Sequence, residues 1–242
     1  MKKLIIENIK TIFYALVIAL IIRTLLFQPF YIPSSSMEPN LLIGDRLFVS
    51  KYSYGYSRHS LPFSPNIFTN RIFKNHPERG DVIVFKTPAD NRTDYIKRLI
   101  GFPGDVIQIK NGNLFLNNNV IKRKKIFIDT KINCGDKTLT VNSFMEELPN
   151  GVKYIAVYNK EGTMLNTDKF IVPDENYFFM GDNRDCSNDS RYLASVGYVN
   201  FNNLVGKAQM IFFSNDKEIG SFFQFWKWNK SLRLKRFFKK IQ

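Results

Sequence analysis

From Thr11 to Phe27 the chain reads TIFYALVIALIIRTLLF, an apolar run broken by one charge, Arg23. Residues 12–22 present no polar face, so the run does not fit an amphipathic helix lying on a soluble core. As a helix rising ~1.5 Å per residue it would span about 25 Å, slightly short of a bilayer's hydrocarbon core, with Arg23 placed to snorkel to the headgroups. Lys2, Lys3 and Lys10 flank its N-terminal side. That bias predicts that this end stays in the cytoplasm and the remaining chain lies outside. The following RTLLFQPFYIP has only large residues where a cleaved leader needs small ones, so an uncleaved anchor is expected.

Beyond the anchor the period shortens. RLFVSK, DVIVFK, YIKRLIGF, DVIQIK and NLFLNN are brief, rich in branched or aromatic residues, and bounded by Gly, Pro, Asn or Asp. KYIAVYN, NYFFMGD and KAQMIFF follow in the same manner. Asn111-Gly112 in QIKNGNLFL is a hairpin signal. No long helical pattern interrupts these runs, which predicts a mostly β, antiparallel body. Residues 108–175, including KRKKIFIDTKINCGDKT, are poorer in turn-bounded apolar strands and read as an inserted lobe. The expected organisation is therefore a cytoplasmic segment 1–10, an anchor 11–27, a β core 28–107 and 176–220, a lobe 108–175, and a basic aromatic tail 221–242. The tail suits either a helix in the headgroup region or a strap packed on the body.

Composition narrows the partners. Hydrophobic residues make up 44% of the chain, enough for a sizeable core. Thirty-five Lys and Arg against 21 acids give +14, which points to an anionic partner, lipid or nucleic acid, although many of the lysines are scattered. Cys134 and Cys186, far apart in sequence, form neither a disulfide framework nor a zinc site and are expected as free thiols.

The chemistry begins with Ser34, Ser35 and Ser36, held between Pro33 and Pro39 just past the anchor. A serine hydroxyl needs a base to become a nucleophile. His59 and His76 lack the surroundings of such a partner and are expected at the surface. Lysine serves if it is neutral, which requires its pKa to fall about three units at a cost of roughly 4 kcal/mol. Burial among apolar groups does this. In DYIKRLIGFPGD, strand alternation puts Lys97 with Tyr95 and Leu99, and Arg98 with Ile96 and Ile100. Lys86 ends its run, where solvation is easy. Lys97 is the better candidate.

Four stretches, IPSSSMEPNLLIGDRLFVSKYSYG, RGDVIVFKTP, DYIKRLIGFPGD and GDNRDCSNDSRY, resemble in this order the characteristic boxes of type I signal peptidases, the bacterial leader peptidases. The resemblance implies Ser36 as nucleophile, with the Ser34 hydroxyl and the Ser36 N–H binding the oxyanion and Ser35 as a spacer. It implies Lys97 as general base and Ser187 as the residue that orients it. Asp182 would pair with Arg98, and Asp189 with Arg191, as structural supports that keep carboxylate charge from Lys97. Phe30, Ile32, Met37, Leu41, Tyr95 and Ile96 would wall shallow pockets for small side chains one and three residues before the cut. It further implies an antiparallel β-sheet peptidase body with a β-rich inserted lobe behind one transmembrane helix, and no metal or cofactor. The partners would be signal peptides of exported preproteins and membrane phospholipid, with no nucleic acid, and the protein a monomer. Its place would be the bacterial inner membrane, single-pass, with the body on the outer, periplasmic face.

Two departures stand out: Cys186 where Asn is common, and LASVGYV after DSRY in place of Trp-Gly. Penicillin-binding proteins need Ser and Lys three residues apart, and no such pair occurs near residues 34–37. Self-cleaving repressors share a Ser-Lys pair but are soluble and carry a DNA-binding domain. A basic, membrane-tethered binding protein would leave Ser36 and Lys97 dispensable.

Overall fold

The computed structural model describes residues 2–135, 137–159, 164–221 and 223–241. Residues 1, 136, 160–163, 222 and 242, which fall in the expected N-terminal segment, lobe and tail, lie outside the described residues. The apolar N-terminal run forms helix α1 (Lys2–Ile21), continued by a π-type turn over Ile22–Leu26. The apolar stretch covers the 22 residues Ile5–Leu26, longer than the sequence pattern suggested. At ~1.5 Å per residue that is about 33 Å, against roughly 30 Å for a hydrocarbon core.

Strands follow in chain order: β1 (Phe27–Tyr31), β2 (Asp45–Ser50), β3 (Val82–Lys86), β4 (Asp94–Gly101), β5 (Val106–Lys110), β6 (Asn113–Leu116), β7 (Asn119–Val120), β8 (Lys122–Cys134), β9 (Lys137–Glu147), β10 (Lys153–Asn159), β11 (Phe170–Ile171), β12 (Asn176–Met180), β13 (Val199–Asn200), β14 (Leu204–Ser214) and β15 (Lys239–Lys240). The main sheet has the order β1-β2-β14-β3-β4-β12-β13, with β15 also paired to β14. The body is thus mostly β and antiparallel. In β3 the alternation is strict. Val82 and Val84 pack with Ile32, Leu47, Val49 and Ile211 on one face, while Ile83 and Phe85 pack with Tyr54, Leu99 and Phe179 on the other. β3 pairs with β4 in the register Ile83↔Lys97 and Val84↔Ile96.

The chain between β4 and β12 builds two small sheets, β11-β5-β6-β7 and β10-β9-β8. Asn111 and Gly112 join β5 to β6 with φ of 50° and 69°, the left-handed pair that a two-residue hairpin needs. The hairpin β8–β9 is more strand-rich than its sequence suggests. Its charged, exposed positions hide the alternation that marks half-buried strands. Ile107, Leu114, Leu116 and Tyr154 pack against Ile100, Phe178 and Met180 of the main sheet. A buried ion pair reinforces this junction: Arg184 Nη2 lies 2.7 Å from Glu146 Oε2, and Tyr154 OH donates to the same carboxylate at 2.8 Å. Burial alone would raise the Glu146 pKa, but Arg184 and the hydroxyls of Tyr158 and Tyr154 hold it low.

Part of the tail packs on the body, while Phe225, Trp226 and Phe238 stay exposed. Arg233 bonds Asp216 at 2.8 Å and the Ile43 carbonyl at 2.8 Å, and Arg236 lies 2.5 Å from Asp45.

Glu146→Ala would leave Arg184 buried without its carboxylate. The expected cost is about 3–5 kcal/mol, a fall in the unfolding midpoint of roughly 6–20 °C. Thermal unfolding of the detergent-solubilised chain measures it. An unchanged midpoint would mean that the lobe is not held by this pair.

Candidate active site

The serine segment leaves β1 and is clamped before it turns. Ile32 N–H donates to the Asp45 carbonyl at 2.9 Å, and Gly44 N–H to the Ile32 carbonyl at 3.0 Å. A tight turn follows, closed by Glu38 N–H to the Ser35 carbonyl at 3.0 Å. From the other side Asn183 donates its backbone N–H to the Ser36 carbonyl and its side-chain amide to the Ser35 carbonyl, both at 3.1 Å. Ser36 is buried, and Ser34 Oγ stands 3.3 Å from Ser36 Oγ. Ser36 N–H donates to no carbonyl among the described residues.

Lys97 reaches this point from the middle of β4. Its Nζ lies 2.5 Å from Ser36 Oγ, and the residue is only 3% exposed. Burial drives its pKa down to about 8, with Asp189 and Asp182 working against the shift. Those acids are engaged elsewhere. Arg98 Nε and Nη2 bond the two oxygens of Asp182 at 2.7 and 2.8 Å. Arg191 Nε and Nη2 bond those of Asp189 at 2.8 Å each. Burial works to raise the Asp189 pKa, but Arg191 and the Gly181 N–H outweigh it and keep the carboxylate charged. Each charge is thus spread over a buried bidentate pair.

Ser187 is buried beside Asp189, whose charged form its hydroxyl favours, and it makes no hydrogen bond to Lys97 among the described residues. Phe30, Ile32, Tyr95 and Ile96 line a cavity of about 540 Å³ together with Ser34, Ser36, Lys97, Cys186 and Asn188. Met37 and Leu41 do not reach that wall; they sit fully buried beneath it with Ile32 and Leu47. The turn after Ser36 points them into the core, a direction that strand alternation could not foretell.

Two further expectations are corrected. Cys134 and Cys186 are not free thiols but form a disulfide, with Cα atoms 5.6 Å apart. The β8–β9 hairpin carries Cys134 at its tip back across 52 residues of sequence separation, a return invisible without the tertiary fold. Cys186 Sγ also lies 3.3 Å from Ser35 Oγ, so the bridge ties the inserted hairpin to the floor of the cleft. His59 is buried rather than at the surface, and burial lowers its pKa to about 4. Lys51 is as buried as Lys97 and also falls to about 8, chiefly through desolvation. Its Nζ donates to the His59 carbonyl, not to a serine.

Two positions missed in the sequence hold the site together. Asn40 donates to both Asp182 Oδ2 and the Ile155 carbonyl at 2.7 Å. At Gly181 a Cβ would lie 2.2 Å from Ser187 Oγ and 2.5 Å from the Ser36 carbonyl oxygen. The only signal for them was their proximity to candidate residues.

The sequence profile described as "Signal peptidase, peptidase S26" matches residues 5–213. The chain is 41% identical over 245 residues to the signal peptidase I of Rickettsia prowazekii, covering 94% of this chain and 90% of that protein. The figures for the signal peptidase I of Rickettsia typhi are 42%, 94% and 90%. A signal peptidase I crystal structure from Enterococcus faecalis superposes with a TM-score of 0.34 at 24% identity, over 55% of this chain and 97% of that one.

Gly181→Ala is expected to push the Ser36 segment or Ser187 aside and lower cleavage of a signal-peptide-bearing substrate at least ~10²-fold, the usual cost of a misplacement near 1 Å. A rate within twofold of wild type would show that the strand and the serine turn need not approach so closely.

Proposed function

Because the chain belongs to the signal peptidase family, peptidase S26, we propose that this peptidase cleaves signal peptides from exported preproteins with a Ser36–Lys97 dyad. The observation that carries the reading is the 2.5 Å approach of a buried lysine amine to a serine oxygen that opens on a cleft. In its neutral form Lys97 accepts the Ser36 proton as Oγ attacks the scissile carbonyl. The same amine, now charged, returns the proton to the departing amine. Ser34 Oγ, 3.3 Å from Ser36 Oγ, and the Ser36 N–H donate to the tetrahedral oxyanion. Ser187, buried beside Asp189, takes up a hydrogen bond with the amine during the cycle.

The substrate segment before the cut lies extended in the cleft between residues 30–34 and 93–97. The apolar walls of Phe30, Ile32, Tyr95 and Ile96 leave room for small side chains one and three residues before the cut. RTLLFQPF lacks that small pair, which explains how the chain escapes its own activity. Ile5–Leu26 anchors the enzyme in the inner membrane, with the body on the outer face. Few residues separate the anchor from Ser36, so the nucleophile meets a signal peptide where that peptide leaves the bilayer.

Ser36→Ala and Lys97→Met are each expected to lower cleavage of a preprotein bearing an Ala-x-Ala site by about 10²–10⁴-fold or more. Below about 8 the amine is protonated and has no lone pair for the serine proton, whereas above it the base is free. The wild-type kcat/KM should therefore rise with pH through about 8. A rate flat from about pH 5 to 9 would remove Lys97 as the base.

Protease added outside sealed cells or right-side-out vesicles should digest residues beyond 30 and spare the N-terminal segment. The opposite pattern would overturn the orientation.

A further inference from the structure

A second cavity, about 610 Å³, adjoins the cleft on the side of the anchor. Arg23 from the last turn of the apolar helix lines it, together with Arg58, His59, Phe63, Lys86 and Arg92. Its charge is not balanced within the fold. Two carboxylates also line it, and both are already engaged. Asp94 pairs with Lys86 at 2.9 Å. Asp90 caps its own turn, accepting from Arg92 N–H at 2.8 Å and Thr93 N–H at 3.0 Å. Arg58 meets only neutral partners, His59 Nε2 and Asn66 Oδ1, each at 3.3 Å. No carboxylate lies within ion-pair distance of Arg23 or Arg92 among the described residues.

Two buried groups lie behind the rim. Lys51 is 1% exposed, with its amine bonded only to a carbonyl. His59 is 4% exposed and neutral at physiological pH, since burial keeps its pKa near 4. Its Nε2 accepts from Arg58, so the ring proton resides on Nδ1, and Nδ1 has no partner. At the rim Phe63 is 104% exposed, an aromatic side chain with no protein packed on it.

We propose that this cavity binds the phosphate of an anionic phospholipid headgroup, with Arg23, Arg58 and Arg92 as donors and Phe63 set among the acyl chains. Guanidinium groups match phosphate oxygens in geometry and hold their charge in a partly dry site. The level is right as well, since Arg23 lies in the last turn of the span that the membrane reading places in the bilayer. An apolar, neutral stretch of signal peptide would leave these cations uncompensated. The proposal rests on that membrane reading but not on the dyad.

The test is native mass spectrometry of the full chain in detergent, titrated with dioctanoyl phosphatidylglycerol. Wild type should retain one lipid per chain. Arg58→Gln/Arg92→Gln should bind at least tenfold more weakly, while Arg58→Lys/Arg92→Lys keeps most of the affinity. Cleavage of a soluble Ala-x-Ala peptide should not change in any of them, so failure of the dyad would show in that assay and failure of the lipid site in the other. If the Gln pair unfolds, Arg92→Gln alone, at an exposed position, should still weaken binding severalfold. Equal retention by wild type and the Gln variants would overturn the site. Displacement of the lipid by equimolar inorganic phosphate would overturn the lipid as occupant. So would a raised KM for preprotein in the variants with no change in lipid binding, which would make the cavity a stretch of the substrate cleft.

Discussion

A lysine amine and a serine hydroxyl 2.5 Å apart, shut away from bulk water, set the terms for the rest of this molecule. Such an amine is useful only without its proton, and it loses that proton only if water and free carboxylates are kept from it. Much of the surrounding structure meets these conditions. β3 and β12 flank β4 on both sides, so Lys97 enters from the middle of a sheet rather than its edge. The two nearest acids are each locked to an arginine in bidentate geometry. Those arginines cannot leave without exposing a buried charge, so the electrostatics of the proposed base and the packing of the sheet are the same constraint.

The inserted lobe belongs to this arrangement. β10 runs beside residues 182–184, exchanging hydrogen bonds from Val157 N–H to the Asp182 carbonyl and from Arg184 N–H to the Val157 carbonyl. Glu146 fixes Arg184, whose carbonyl in turn accepts from Arg191. The Cys134–Cys186 bridge adds a covalent tie one residue from Ser187. The tail contributes from the opposite side: Arg236 donates to the Asn40 carbonyl, and the Asn40 side chain holds Asp182. Segments remote in sequence thus converge on the Asp182–Arg98 pair.

The two cavities divide the surface by chemistry. The cleft at Ser36 is walled mainly by apolar side chains, whereas the neighbouring cavity at Arg23 carries four cations against two carboxylates. They share Phe30 and Asp94, so a peptide in one and a headgroup in the other would touch. Substrate and membrane would then be read by adjacent parts of one face.

Local pattern carried a good deal. The apolar run, the strand alternation around Lys97 and the Asn111-Gly112 turn were legible because each depends on residues close in sequence. The four boxes pointed to the family for the same reason, being contiguous stretches. What the sequence could not decide was which buried group meets which. Lys51 and Lys97 both end up dry with lowered pKa values, and only the fold sends one to a carbonyl and the other to a serine. Met37 and Leu41 turn into the core, Cys134 is carried to Cys186 by a long hairpin, and His59 is covered by its surroundings. Each of these outcomes depends on contacts between distant segments, and proximity of that kind is a property of the packed chain, not of its neighbours in sequence.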